Sequence, residues 1–283
     1  MSSYKILFAD MYVKSIIIKL ILFVVAFTIL FWTVKINNVL PRSSLNADMQ
    51  SIPVLLGLGN FLFSIISGFV IQQQWRKWDI LMDASRGEVS MLRQLYIVAH
   101  HFPVKERNAI RFHIYRYLDM LIKSRQSKNL HLRSKKVDEA LIRIEDTMFS
   151  VSKRYPDIGN FAFTHLTRAM EYRETKLQSS SHRLPMAIRV FLFFATGTVI
   201  VGSLFLPFVN LYYNYYFALV AASIAFGILL IVDDFDHPLQ PGIYYLSADA
   251  YKSLRDEIRS KLEYYAFDFN KAEARELTNG HAA

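Results

Sequence analysis

Acidic residues cluster at one point of a chain that is basic overall. The 283-residue sequence has 33 Lys and Arg against 24 Asp and Glu, which gives a formal net charge of +9. Three carboxylates nevertheless fall within "VDDFD", directly after an apolar run, at Asp233, Asp234 and Asp236. Carboxylates at the C-terminal end of a helix oppose its dipole unless a cation lies nearby. We therefore expect this acidic cluster to form an ion-paired clasp with basic residues at the ends of the apolar runs. The candidate partners are Arg76, Lys77 and Arg189.

The reactive groups that an enzyme needs are not assembled in a recognisable motif. The sequence has no Gly-rich phosphate loop, no His-Glu-x-x-His, no Gly-x-Ser-x-Gly and no cysteine. The lack of cysteine excludes disulfides and thiolate sites. His100, His101 and His113 are candidates for a metal site, but neighbouring residues on a helix project about 100° apart, which favours capping or surface roles. Ser179–Ser181 fall in a polar linker. We expect that the protein is not an enzyme.

The composition is that of a membrane protein. The sequence is 53% hydrophobic and 14% aromatic, and its mean hydropathy is +0.20. Four mostly apolar runs approach the ~20 residues that a helix needs to cross roughly 30 Å of hydrocarbon. These runs are Ile16–Val34, Ile52–Val70, Met186–Val209 and Tyr215–Val232.

Basic residues predict the orientation of these runs. Arg76, Lys77, Arg183 and Arg189 lie at the two ends of the long polar segment, whereas the short connecting segments carry few charges. Cytoplasmic segments are enriched in Lys and Arg close to the membrane, so we expect the central segment and both termini to be cytoplasmic. The basic excess predicts contact with anionic lipid headgroups. No Arg-rich aromatic platform of the kind that binds nucleic acid is present.

Helical periodicity continues through the polar segments. The second apolar run leads without proline into "QQQWRKWDILMDASRGEVSMLRQLYIVAH", which predicts one helix over about 52–100. Further helices are expected over Val104–Ser127, over Lys135–Arg154 with an N-cap at Ser134, from an N-cap at Asp157 to Leu177, and from Ser247 to Phe267.

The predicted fold class is therefore an all-α membrane protein, with four transmembrane helices and a cytoplasmic helical domain. Its expected parts are a first transmembrane hairpin (residues 1–72), the cytoplasmic helical domain (73–185), a second transmembrane hairpin (186–233) and a cytoplasmic helix and tail (234–283).

One face of the second run carries large apolar residues at helical spacing. Leu58, Leu62 and Ile66 form what we call the leucine stripe, at i, i+4 and i+8. Several copies of this stripe around a symmetry axis would make a hydrophobic constriction that gates by wetting and dewetting. The alternative is that these residues face lipid or pack against other helices. The small residues Gly57, Gly59, Ser64 and Gly68 allow close helix approach.

Two stretches resemble bacterial bestrophins. "IPVLLGLGNFLFSIISGFVIQQQWRKWDILMDASR" is similar to their second helix, in which an apolar segment with Leu-Leu-Gly runs into an Arg- and Trp-rich stretch. "VDDFDHPLQPGIYYLSADAYKSL" is similar to the acidic, proline-containing segment after their fourth helix. The chain also resembles a bestrophin-like branch of bacterial membrane proteins, in which a basic stretch ending in Leu-Pro, here "SHRLP", precedes the third helix. "GFVIQQQWRKW" departs from the Phe-Arg-Asn-Asn-type run and paired Trp of typical members, so it leaves the gate chemistry and ion selectivity open.

The resemblance implies an ion channel of the bacterial inner membrane. It implies a homopentamer, a pore lined by the second helix and a hydrophobic neck, and a gapless alignment on "LLG" places that neck at the leucine stripe. A shift of one residue would instead select the phenylalanine stripe, which is Phe61, Ile65 and Phe69. The acidic run of eukaryotic bestrophins contributes to Ca²⁺ binding. Ca²⁺ is therefore an alternative to a basic residue as the partner of the acidic cluster.

A second class of function stays open. The large basic helical segment also fits a membrane-anchored helical scaffold or sensor that binds a partner protein or an anionic lipid. A secondary transporter is not favoured, because such proteins usually need buried carboxylates or histidines within the membrane, and the four apolar runs contain neither.

Overall fold

The computed structural model describes most of the chain and is helical throughout. The described residues are 3–37, 51–126, 134–181, 183–204, 210–237, 244 and 246–261. Within these ranges no strand is present, which confirms the all-α fold class. In chain order the helices are α1 (Ser3–Ile36), α2 (Ser51–Val98), α3 (Val104–Gln126), α4 (Lys135–Arg154), α5 (Pro156–Ser181), α6 (Met186–Leu204), α7 (Leu211–Asp236) and helical residues 249–261, here α8.

The chain divides into two compact units. The membrane unit comprises Met1–Trp78 and Arg183–Tyr245, and the helical unit comprises Asp79–His182 and Leu246–Ala283. Each unit has buried apolar clusters whose members all belong to that unit.

Among the described residues, four helices are long and apolar enough to cross a bilayer, as predicted. The candidate spans are Ile16–Ile36, Leu56–His101, Met186–Leu204 and Leu211–Asp236. Helix α2 has 48 residues, so it is about 72 Å long at 1.5 Å per residue, more than twice the hydrocarbon thickness. Only its first half, up to Ile71, has the composition of a lipid-embedded helix.

The membrane unit is held together by apolar contacts between its helices. α7 packs against both α6 and α1. One buried cluster joins α2, α6 and α7, and its members are Phe63, Val70, Leu184, Leu192, Val199, Ala225 and Val232. A second cluster joins α1 to the other end of α6 and α7, through Phe27, Phe31, Leu204, Ala218 and Ala222.

The helical unit has a larger apolar core. Its helices α3 and α4 pack together, as do α4 and α5. The buried positions of α4 recur every three or four residues, which gives that helix one apolar face. The core is completed by Leu92 and Leu95 of α2, Ile114 and Leu118 of α3, Leu166 of α5, and Leu254 and Ile258 of α8.

The predicted helix bounds agree with the structure for the long second helix and for α4. α2 ends at Val98 and passes into a 3₁₀ turn, Ala99–His101. Ser134 lies at the N-cap of α4, but its side chain makes no capping hydrogen bond. α4 has the predicted bounds, Lys135–Arg154. The ends expected at Val209 and Phe267 lie outside the described residues.

The prediction for α5 was wrong at both ends. Asp157 is not the N-cap, because the helix already begins at Pro156, whose fixed φ and missing N–H suit a first helical position. The first four residues of the polar stretch after Leu177 are not a linker, since α5 continues to Ser181. Residues 183–185 of that stretch are non-helical. Ser180 donates a hydrogen bond from Oγ to the carbonyl oxygen of Leu177 at 2.9 Å, which satisfies one of the last carbonyls of the helix.

Candidate functional site

The apolar half of α2 has one buried face and one exposed face. Phe63, Ser67, Val70 and Gln74 are all buried. Their spacing of three or four residues turns them to the same side of the helix, and Phe63 and Val70 pack in the cluster with α6 and α7. The exposed large residues of this half are Val54, Leu58, Phe61, Leu62, Ile65 and Phe69. α2 therefore presents an unpartnered apolar surface on the side away from its own unit.

The leucine stripe lies only partly on this surface. Leu58 is 56% exposed and Leu62 is 50% exposed. Ile66 is half-buried and packs against the cluster that contains Phe63 and Val70. An i, i+4, i+8 series on a straight helix drifts by about 40° per step, which carries its last member toward the packed side.

The phenylalanine stripe is exposed along its whole length. Phe61 is 61% exposed, Ile65 is 40% exposed and Phe69 is 67% exposed. Side chains of both stripes can therefore contact a pore, a neighbouring subunit or lipid. In the leucine stripe this holds for Leu58 and Leu62 but not for Ile66, which packs within the unit.

The three glycines in the apolar half of α2 border open space instead of making close contacts within the chain. A Cβ atom added at Gly57, Gly59 or Gly68 would meet nothing within 4 Å. By contrast, a Cβ at Gly202 of α6 would lie 2.4 Å from the Leu56 side chain. Gly57, Gly59 and Gly68 are thus not explained by packing inside the membrane unit.

Asp236 joins the ends of α6 and α7 through two partners. One carboxylate oxygen accepts a hydrogen bond from the backbone N–H of Leu184 at 2.7 Å, and the other accepts from the Arg189 guanidinium. The Asp236 side chain is nearly fully buried, whereas Arg189 keeps about a third of its surface exposed. The structure thus brings together two of the residues singled out in the sequence.

The other two aspartates have different surroundings. Asp234 accepts a hydrogen bond from the backbone N–H of Tyr244 at 3.1 Å, which holds the chain after α7. Asp233 is exposed and lies 3.6 Å from the His237 ring. Among the described residues, no group of three or more His, Asp or Glu side chains is arranged to hold a metal ion. The three carboxylates diverge and do not share one ligand position.

Lys77 and Arg76 differ in their relation to the acidic cluster. Lys77 interacts electrostatically with Asp236 and with Arg183. Arg76 is exposed, and no contact between it and an aspartate of the cluster is seen among the described residues.

Four aromatic rings meet beside the acidic cluster. Phe235 stacks on Tyr244 with ring centroids 3.7 Å apart. Trp75 lies edge-on to both rings, 5.8 Å from each, and 5.6 Å from Trp78. This aromatic cluster marks the point where α2 changes from apolar to charged sequence.

The helical unit contains a buried charged network that the sequence analysis missed. The carboxylate of Glu88 on α2 accepts hydrogen bonds from Lys176 of α5, Tyr117 of α3 and Tyr251 of α8. Lys176 also donates to the Tyr251 hydroxyl at 3.0 Å. The side chains of Glu88 and Lys176 are 1% and 0% exposed. One carboxylate therefore ties four helices together.

The network extends through Tyr117 to a second ion pair. Arg173 of α5 donates to the Tyr117 hydroxyl at 3.1 Å and to Asp138 of α4 at 2.8 Å. Burial raises the pKa of Tyr117 well above its ordinary value, and the neighbouring Glu88 carboxylate adds to the rise. Burial opposes the charge of Arg173, but Tyr117 and Asp138 outweigh it and raise its pKa. The tyrosine stays protonated and the arginine stays charged at neutral pH.

One sequence signal for this network was available. Glu88 occupies the same face of α2 as the buried residues Leu81, Ala84, Leu92 and Leu95. A carboxylate within an apolar helical face predicts a buried partner. The partners themselves could not be predicted, because they come from helices far away in the sequence.

The histidines singled out in the sequence do not form a metal site. Arg111 donates a hydrogen bond to Nε2 of His100 at 2.6 Å, and its guanidinium lies 5.0 Å from the Tyr96 ring. Burial lowers the pKa of His113, and Arg143 and Arg116 lower it further.

The fold and the unpartnered membrane helix define a class: a multi-pass helical membrane protein with a second, separately packed helical unit. The family model of the Bestrophin-like domain matches residues 21–251, which is most of the 283-residue sequence. The chain belongs to the bestrophin-like family.

Solved structures of bacterial bestrophin homologues share the fold. One point variant of a Klebsiella pneumoniae homologue is 12% identical, covers 86% of this chain and 97% of that chain, and has a TM-score of 0.56. A second variant of the homologue is 12% identical, covers 89% of this chain and 98% of that chain, and has a TM-score of 0.57. The form phased by Zn-SAD is 11% identical, covers 87% of this chain and 98% of that chain, and has a TM-score of 0.52. No curated protein matches the sequence.

Proposed function

We propose that the chain is one subunit of an oligomeric ion channel whose pore is lined by the apolar half of α2. The observation that carries the proposal is the exposed face of α2, where large apolar residues lie opposite the face that packs on α6 and α7. Gly57, Gly59 and Gly68 also border space that the chain itself leaves open. A helix that presents such a face without a partner in its own chain fits a position around a symmetry axis.

Apolar pore linings gate by dewetting, so an apolar neck is compatible with ion conduction. The proposed neck is the leucine stripe, with the phenylalanine stripe as the alternative register. The alignment on "LLG" favours the leucine stripe. Exposure is compatible with either register, because Leu58 and Leu62 are exposed and so is every member of the phenylalanine stripe. Ile66 is the weakest member of the leucine stripe because it packs within the unit.

The assembly that we propose is a homopentamer in the bacterial inner membrane, with both termini cytoplasmic. Membership of the bestrophin-like family supports self-association and a channel. The basic residues after the apolar half of α2 and at the start of α6 support the orientation, because Lys and Arg accumulate on the cytoplasmic side. The proposed activity is passive ion flow and includes no covalent chemistry.

Flux through purified protein in liposomes tests this function. Liposomes with the protein should conduct ions above the level of empty liposomes. Leu62→Ala should raise the flux several-fold, because a smaller side chain lowers the dewetting barrier of the neck. The matched control is Ile29→Ala on α1, which removes another exposed apolar side chain from a helix that is not proposed to line the pore. Equal flux in all four samples would contradict the proposal.

A membrane-anchored scaffold or sensor is the second candidate. The helical unit favours it, because it exposes large aromatic side chains that a partner protein could cover, among them Phe112, Phe149 and Phe161. The oligomeric state separates the two candidates: a monomer or dimer in mild detergent favours the scaffold, whereas a ring of subunits favours the channel.

A further inference from the structure

We propose that three tyrosines at the start of α7 bind the headgroup region of the bilayer, on the side of the membrane opposite the acidic cluster. Tyr212, Tyr213 and Tyr216, here called the tyrosine cluster, are 75%, 63% and 61% exposed. Their ligands are the phosphate and ester oxygens that every phospholipid carries. The inference requires that α7 spans the bilayer, and it does not depend on ion conduction.

The tyrosine cluster occupies one side of α7. At 100° per residue its three side chains fall within an arc of about 100°. Asn214 and Ala218 project to the opposite side, and both are buried. The tyrosines therefore point away from the rest of their own membrane unit.

Contacts between α1 and α7 hold the start of α7 in place. The hydroxyl of Tyr215 lies 2.8 Å from Oγ1 of Thr28 on α1, within hydrogen-bond distance. The Tyr215 ring lies 5.4 Å from the Phe31 ring and 6.2 Å from the Trp32 ring, measured between centroids. The first turn of α7 is thus packed against the last turns of α1, so the exposed tyrosines project from a fixed position.

The side of α7 that carries the tyrosine cluster continues as an apolar surface. Val220, Ile224 and Ile231 are exposed on this side. No charged residue lies between Arg189 and Asp233 in the sequence, so this surface suits acyl chains. A tyrosine has an apolar ring with a hydroxyl at its tip, and the hydroxyl can donate a hydrogen bond to a lipid oxygen. Tyrosines at the end of a lipid-facing surface fit the level of the headgroups.

The distance to the aromatic cluster agrees with this level. Phe235, whose ring contacts Trp75 and Tyr244, comes 19 residues after Tyr216 in the same helix. At 1.5 Å per residue the two positions are about 29 Å apart along α7. The hydrocarbon core of a bilayer is about 30 Å thick, and Trp and Tyr concentrate at both of its interfaces. α7 therefore carries interfacial rings at both of its ends.

Spin labelling of the full-length protein in phosphatidylcholine liposomes tests the proposal. The sequence has no cysteine, so Tyr213→Cys gives one site for a nitroxide label at an exposed position. Oxygen reaches a label in the hydrocarbon, and a water-soluble nickel chelate reaches a label in water. At the interface the label should be accessible to both, with nickel accessibility about threefold that of a label in the hydrocarbon.

The matched control is Ile224→Cys, which carries the same label on the same side of α7. Position 224 lies about 17 Å further along the helix, close to the middle of the hydrocarbon. Its label should be accessible to oxygen and almost inaccessible to nickel. Phosphatidylglycerol added to the liposomes should leave both labels unchanged, because no charged residue takes part in the proposed contact.

The hydroxyl groups are tested by Tyr212→Phe/Tyr216→Phe in the Tyr213→Cys protein. Both phenylalanines keep the rings and remove the hydrogen bonds to lipid, so the label should move deeper and its nickel accessibility should fall about twofold.

Four outcomes would overturn the proposal. An immobilised label at position 213 that neither reagent reaches would show that another protein surface covers the tyrosines. Full accessibility to nickel with little to oxygen would place them in water. Accessibility equal to that at position 224 would place them in the hydrocarbon. An unchanged label depth in the phenylalanine variant would show that the hydroxyls do not bind lipid.

Discussion

Glu88 and Lys176 carry opposite charges at a depth where neither reaches solvent. Removing two charges from water is costly, and the pair is favourable only when every remaining donor and acceptor is satisfied. The hydroxyls of Tyr117 and Tyr251 supply the additional hydrogen bonds. The network therefore acts as a set, and each member depends on the others.

Removing only one of the two charges of the Glu88–Lys176 pair should strongly destabilise the protein. Glu88→Gln leaves the Lys176 ammonium buried without a counter-charge, and we expect a loss of about 3–5 kcal/mol in the free energy of unfolding. Lys176→Met should cost a similar amount, because it leaves the carboxylate unpaired. The double variant Glu88→Gln/Lys176→Met should be more stable than the sum of the single losses predicts. Denaturant unfolding of the detergent-solubilised protein measures all three.

The exposed pair of Arg86 and Asp83 provides the control for this experiment. Their side chains are 70% and 69% exposed and 3.8 Å apart, so Arg86→Gln should change stability by less than about 1 kcal/mol. If the double variant lost as much free energy of unfolding as Glu88→Gln and Lys176→Met lose in sum, Glu88 and Lys176 would not be coupled.

At the scale of single residues, the sequence predicts the partner of the acidic cluster but not the partners of Glu88. A local electrostatic argument is enough to propose Arg189 as a partner of the acidic cluster, since both lie at ends of apolar runs. The Glu88 network needs residues from α3, α5 and α8. Their meeting depends on tertiary packing, which no pattern within α2 contains.

At the scale of elements, Asp236 fastens the end of α7 to the start of α6. Asp236→Asn keeps an oxygen for the Leu184 N–H but loses the charge that holds Arg189, so we expect a loss of about 1–3 kcal/mol. Asp233→Asn, at an exposed position of the same cluster, should leave stability unchanged. Thermal unfolding with and without added Ca²⁺ measures both effects. If Ca²⁺ raised the Tm and Asp234→Asn abolished that rise, the acidic cluster would be a metal site and not an ion-paired clasp.

Close approach between α4 and α5 requires a glycine at position 159. A Cβ there would lie 2.5 Å from the Cα atom of Ser152, and backbone cannot move aside cheaply. Gly159→Ala should therefore destabilise the helical unit by about 1–3 kcal/mol. Gly87→Ala is the matched comparison, because its clash is with the partly exposed Tyr172 ring, which can shift. Equal losses of stability in the two variants would contradict this reading of the contact.

Helix existence was easier to predict than helix ends. Periodicity and length were enough for α2 and α4, whereas α5 begins at Pro156 and continues through three serines that composition assigns to a linker. α7 begins at Leu211, four residues before the predicted run, because Asn210 caps it by accepting a hydrogen bond from the Tyr212 N–H at 2.9 Å. A hydropathy pattern does not show where such a side-chain cap forms, so it does not predict the residue at which the helix begins.

At the scale of the whole molecule, the part of the chain that the structure describes combines four candidate membrane spans with a helical unit that has its own core. Hydropathy alone was enough to predict the spans, and the family match supports self-association. The pore register could not be predicted in the same way. A helix exposed on one side of a single chain can face a pore, a neighbouring subunit or lipid, and the leucine and phenylalanine stripes are only about 60° apart.

Cysteine accessibility along α2 tests the central claim, which is that this helix lines an ion-conducting pore. The natural sequence contains no cysteine, so a single introduced thiol is the only target for a charged thiol reagent. We predict that modification of Leu62→Cys blocks most of the flux in liposomes, and that Phe63→Cys, on the buried face, is unaffected. If thiol modification blocked the flux of cysteine variants at positions 61, 65 and 69 but not at 58 and 62, the neck would be the phenylalanine stripe. Flux that no modified position of α2 changes would contradict the account.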